Sequence, residues 1–162
     1  MFFGLGLIVF VASCTDLTET PYEEVTEENF NPTGDDIGAL IAPAYTPLRW
    51  WMGWYGNIDT QEESADALLT PVRPNGWYDG GTYVRMHQHR WNENQGQPAA
   101  VWTSSFDGIN AVNRVIYQLD SGTVPVEDEN IKEGILAELK ALRAYYYYIL
   151  LDNFGNVPIV TD

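Results

Sequence analysis

The sequence predicts an all-α protein built from helical hairpins and interrupted by a long, irregular, aromatic-rich insertion. Three observations carry this. Two long apolar stripes recur at helical spacing in the second half of the chain, and a short loop joins them. Residues 49–97, by contrast, are punctuated by Gly, Pro and Asn, and no helical period lasts beyond about two turns there.

The elements follow in order. Phe2 to Ala12 is an unbroken apolar run leading into Ser13-Cys14. It is too short to span a bilayer, and it ends in small residues as a secretory signal does. Cys14 is the sole cysteine, so an internal disulfide is impossible. Small residues directly before a cysteine resemble a bacterial lipobox, in which the thiol is diacylated and becomes the new N-terminus. The alternative is an ordinary signal peptide with an incidental thiol, which would be a liability outside the cell. No Lys or Arg precedes the run, which points to a start codon upstream of Met1. The expected organisation is a signal over residues 1–13, an acidic tether over 14–30 and a helical unit over 31–162.

Thr33 and Asp36 suggest a capping box opening a first helix, with Ile37, Leu40, Ile41, Ala44, Tyr45 and Leu48 on its apolar face. Pro43 inside that pattern predicts a break into two pieces. Within the insertion, Tyr83–His89 reads as a short strand. Pro98 suits the first position of the next helix, whose stripe is Trp102, Phe106, Ile109, Val112, Ile116 and Leu119 up to Ser121-Gly122. A last helix starts near Asp128, carries Ile131, Ile135, Leu139, Leu142, Tyr146 and Ile149/Leu150 on one face, and stops at Gly155. Val157–Val160 must then be extended. The last two helices form a tetratricopeptide-like hairpin, and such hairpins bury their other faces against stacked neighbours. The chain therefore reads as truncated.

Composition narrows the function. A hydrophobic fraction of 45% and six Trp exclude disorder. A formal charge of −15 excludes the basic footprint that nucleic acid or anionic headgroups require, and leaves neutral ligands and cations. Aromatics at 14% exceed what a small helical domain needs for its core.

Several blocks resemble the SusD/RagB family of outer-membrane nutrient-binding lipoproteins. They are the lipobox with Asp16-Leu17, Thr26 to Phe30, Ala42-Pro43-Ala44-Tyr45 with Leu48, and Trp102 with Phe106. More specific are Gly108 to Ile116, Glu138 to Tyr147 and Phe154 to Thr161, in this order and spacing. Pro43 and Pro47 depart from the family's helix-compatible residues. The resemblance implies a non-catalytic lipoprotein, tethered outside the outer membrane, that captures a glycan or other oligomer and hands it to a TonB-dependent (SusC-like) transporter, with no cofactor.

Sugars bind through stacking of their C–H faces on aromatic rings and through hydroxyl contacts to carboxylates or amides. The insertion interleaves Trp50, Trp51, Trp54, Tyr55, Trp77, Tyr78 and Tyr83 with Asn57, Asp59, Glu62, Glu63, Asp66, Arg73, Asn75 and Asp79. Many of these rings are expected in the core, as aromatics usually are. Trp77 and Tyr78, between Gly76 and Gly80, lead the ligand candidates, with Trp54, Tyr55, Arg73 and Asp79 beside them. Trp91 and Trp102 read as packing residues. Glu62, Glu63 and Asp66 are too common a motif in so acidic a chain to argue for a glycosidase pair. His87 and His89 would share one face of a strand but lack a third metal ligand. Asn110 and Asn113 read as hydrogen-bonding residues between helices. Tyr145, Tyr147 and Tyr148 are expected to face neighbouring helices.

Overall fold

The computed structural model describes residues 36–53, 55–73 and 79–161. Among these there is no strand. The elements are α1 (Ile37–Tyr45), a 3₁₀ helix (Thr46–Trp51), α2 (Asn57–Ser64), α3 (Thr82–His87), α4 (Gly96–Asp120) and α5 (Glu129–Phe154). The signal, Cys14, the tether, Thr33, Trp54, Trp77 and Tyr78 lie outside the described residues.

Helices α4 and α5 form the expected antiparallel hairpin, since Gly108 meets Tyr146 and Asn113 meets Arg143. Asp128 caps α5, its Oδ1 accepting from the backbone N–H of Asn130 (2.9 Å) and Ile131 (3.4 Å). Gly155 ends α5 at φ 73°, a conformation glycine adopts without a Cβ penalty. The hairpin's facing stripes, Ile109, Val112, Val115 and Leu119 against Ile135, Leu139, Leu142 and Leu150, make the core, and α1 closes it through Ala44.

Tyr146 is the pivot of that core. A Cβ on Gly108 would lie 2.2 Å from the Tyr146 ring, so α4 carries glycine where the ring presses on its backbone. The Tyr146 hydroxyl donates to the Ala44 carbonyl at 2.7 Å and so joins α5 to α1. Burial pushes its phenol up to about 12. Tyr45 adds a second tie, its hydroxyl donating to Glu138 at 2.6 Å, and that bond to the carboxylate raises its pKa.

Residues past α5 fold back along the hairpin. The Tyr147 hydroxyl accepts from the Val160 N–H (2.6 Å) and donates to its carbonyl (2.9 Å). Asn113 donates to the same carbonyl, while Arg143 donates to both Asn113 and the Thr161 carbonyl. The reading of Asn113 as an inter-element hydrogen-bonding residue holds; Asn110 is exposed instead.

Two local readings are corrected. Pro43 does not break α1, because the Ala39 carbonyl it leaves without a backbone donor is on an exposed residue and water can serve it. The change comes after Tyr45, where Pro47 suits the start of the 3₁₀ helix. Tyr83–His89 is not a strand either. Asp79 accepts from the backbone N–H of Gly81 (2.8 Å) and Tyr83 (3.1 Å), and this nucleates α3. Burial raises the Asp79 carboxyl, but these backbone donors outweigh it and hold the group below the usual range.

Candidate functional site

The site is built where the insertion crosses the start of α4. The 3₁₀ helix brings Trp50 to the surface, 57% exposed. A tight turn follows, with Gly53 N–H donating to Trp50 O (3.2 Å) and Gly56 N–H to Gly53 O (2.8 Å). No side chain fits at Gly56, where a Cβ would meet the Trp50 carbonyl at 2.1 Å.

Tyr55 sits in this turn at φ 63°, which is strained for a bulky residue. Three contacts hold it there. Its N–H donates to Asp59 Oδ2 at 2.9 Å. Its ring lies over Gly96, where a Cβ would come within 2.7 Å of it. It also meets the Tyr83 ring, with centroids 6.3 Å apart and planes tilted by 58°. Tyr83 is buried and donates its hydroxyl to the same Asp59 oxygen at 2.9 Å. Burial, then the bond to Asp59, pushes its phenol well up.

Trp50 and Tyr55 thereby flank an open groove of about 650 Å³. Its floor is one face of α4, formed by Ala99, Ala100, Thr103, Ser104 and Asp107. Two rings beside two hydroxyls and a carboxylate can hold a polyol by stacking and hydrogen bonding, and the volume suits a small ligand. Of the predicted candidates, Tyr55 lines this groove. Arg73 is exposed but is not part of its lining, and Asp79 caps α3. Thr103, Ser104 and Asp107 escaped the sequence reading. They lie outside the apolar stripe of α4, and their polarity beside that stripe was the available signal.

Several other polar residues of the insertion hold it together or join it to α5. Glu63 is fully buried and accepts from the Thr70 hydroxyl (2.5 Å) and N–H (3.4 Å), pinning the loop after α2. Asn57 and Gln61 bond Asn153 and Asp152 of α5. His87, at the end of α3, has Nδ1 3.4 Å from Asp66, and His89 bonds the Ser64 carbonyl through Nε2 at 2.7 Å. No group of three His, Cys, Asp or Glu residues able to hold a metal occurs among the described residues. Trp102 packs against Phe106 and Phe154, with centroids 4.9 and 5.2 Å away, yet stays 38% exposed. Trp91, expected to pack, is 39% exposed. No described helix is long and apolar enough to cross a membrane.

Comparison with known proteins agrees with the resemblance read from the sequence. Residues 55–162 match the SusD-like family described as "Starch-binding associating with outer membrane". The chain is also similar to SusD-like protein P2 of Formosa agariphila, 25% identical over 154 residues. That alignment covers 95% of this chain and 29% of the relative, so the chain spans less than a third of that protein's length. No solved structure matches it. The family match takes in α2 to α5, most of the described fold, and on that match the chain belongs to the SusD-like family.

Proposed function

We propose that this chain is part of a surface lipoprotein, anchored through Cys14, that captures neutral oligosaccharides and passes them to a TonB-dependent, SusC-like outer-membrane transporter. The observation that carries the binding role is the pair of rings, Trp50 and Tyr55, set across an open groove floored by Thr103, Ser104 and Asp107. The family's description makes starch-type α-glucan the first candidate ligand. A formal charge of −15 favours neutral sugars over anionic ones. Trp54, Trp77, Tyr78, Arg73 and Asp79 remain candidates for further contacts from the insertion. The protein acts by binding, without catalysis and without a cofactor. Its α4–α5 hairpin is one unit of a tetratricopeptide-like array.

Affinity electrophoresis in gels containing soluble starch, with calorimetry on maltotriose, tests the binding role. Trp50→Ala is expected to weaken binding about tenfold, as loss of one stacking ring does elsewhere, with the melting temperature unchanged because the ring is exposed. Parent-like affinity in both Trp50→Ala and Tyr55→Ala would remove the groove from the function. The rival reading is a helical scaffold for another protein, favoured by the exposed Tyr145–Tyr148 stack on α5, with centroids 6.3 Å apart. It predicts no retention by starch at all.

A further inference from the structure

Among the residues that line the groove, Tyr55 alone has a positive φ. A bulky residue keeps that conformation only where its surroundings over-determine it. Relaxation to a negative φ would redirect its Cα–Cβ bond and carry the ring away from Gly96, out of the groove wall. What restrains Tyr55 therefore decides whether the groove has its second ring.

The restraint converges on one atom. Asp59 Oδ2 accepts from the Tyr55 N–H and from the Tyr83 hydroxyl, both at 2.9 Å. Asp59 is the third residue of α2, so its carboxylate reaches back past the helix start to a backbone donor in the preceding turn. Tyr83 is itself fixed, since it is buried and its N–H donates to Asp79 at 3.1 Å. Burial, then the bond to Asp59, pushes its phenol well up, so the hydroxyl stays a donor. Neither Asp59 nor Tyr83 lines the groove. We propose that Asp59 and Tyr83 are positioning residues for ligand binding, which set the Tyr55 ring before the ligand arrives and act on affinity only through that ring. The inference rests on the reading of the groove as a sugar site. A ring set in advance loses little freedom on binding, and this is how a restraint remote from the ligand raises affinity.

A mutant cycle on the full chain, read by calorimetry with maltotriose below the melting temperature of every variant, tests this. Asp59→Ala is expected to weaken binding about fivefold, short of the roughly tenfold loss in Tyr55→Ala. In the Tyr55→Ala background the same change should move affinity by less than about twofold, because the ring it positions is gone. Tyr83→Phe removes one oxygen and keeps the ring contact, so it should weaken binding about two- to threefold in the parent and not at all in Tyr55→Ala. Asp59→Asn should recover part of the Asp59→Ala loss, since its amide oxygen can accept both donors. A general loss of stability would lower the melting temperature without making the effect on affinity depend on Tyr55. Equal weakening by Asp59→Ala with and without Tyr55 overturns the positioning role, as does parent-like affinity in both Asp59→Ala and Tyr83→Phe. Should Asp59→Ala fail to fold, the Tyr83→Phe cycle decides by the same criteria. Parent-like affinity in Tyr55→Ala alone overturns the inference and leaves the groove to Trp50. Failure of the parent to bind maltotriose or starch overturns it together with the sugar reading of the groove.

Discussion

Glycines decide more of this structure than their number suggests, because two of them make room for tyrosine rings. Gly96 leaves space for Tyr55, which forms the groove, and Gly108 leaves space for Tyr146, which locks the core. The Gly108 contact is the more severe, since a Cβ there would meet three ring carbons between 2.2 and 2.4 Å. Two effects compete in Gly108→Ala. Alanine favours the helix by about 1 kcal/mol. Overpacking against a ring held on both sides costs about 1–3 kcal/mol or more. The clash lies far inside van der Waals contact, so overpacking wins and a net loss of stability is expected. Chemical denaturation of Gly108→Ala checks it, and Gly108→Ala with Tyr146→Leu should recover part of the loss by replacing the rigid ring. A Gly108→Ala protein as stable as the parent would mean that Tyr146 does not pack there.

Among the elements, long helices were legible in the sequence and short ones were not, for a physical reason. Helices α4 and α5, at 25 and 26 residues, repeat their apolar period many times, and the Asp128 cap and the Gly155 stop are local signals. Helix α3 has six residues, too few for a period to show, so Tyr83, Arg85 and His87 mimic strand alternation. What makes it a helix is Asp79, whose carboxylate accepts from the backbone N–H groups two and four residues on, at Gly81 and Tyr83, across a Gly80-Gly81 entry at φ 74° and 75°. The site suffered likewise. Aromatic richness pointed to the insertion and to Tyr55, but Thr103, Ser104 and Asp107 become neighbours of the rings only when the insertion crosses α4. Asp79 offers a test of α3. Its carboxyl is held below the usual range by backbone donors that favour its charged form, so its contribution is present above the unfolded-state value, about 3.9, and is lost as pH falls through the lower folded value. Amide hydrogen exchange is expected to show protection of Thr82–His87 falling in that acid window, and in Asp79→Ala at neutral pH. Unchanged protection in Asp79→Ala, with weakened starch binding, would assign this carboxylate to ligand contact rather than to capping.

At the scale of the whole molecule, the surface that suits a neutral glycan is a poor one for a membrane. A formal charge of −15 is repelled by anionic headgroups, and no described helix can span a bilayer. The family's description includes outer-membrane association, and the lipid tether proposed above would not depend on the charge of the folded surface. In that proposal Cys14 supplies the tether, at the end of an apolar run and ahead of the acidic stretch from Thr15 to Asn29. One acyl chain gives only marginal attachment, whereas two give stable anchoring, about 0.8 kcal/mol accruing per buried methylene. A diacylated cysteine meets that requirement, and an acidic segment after it would keep the helical unit off the headgroups. Expressed in a lipoprotein-competent Gram-negative host, the parent should take up a clickable palmitate label and stay with the membrane fraction through a high-salt wash, since hydrophobic anchoring is not screened. Cys14→Ala should lose both the label and the membrane fraction. Salt release of the parent would point to an electrostatic attachment that this charge makes difficult, and a labelled, membrane-bound Cys14→Ala would place the anchor elsewhere.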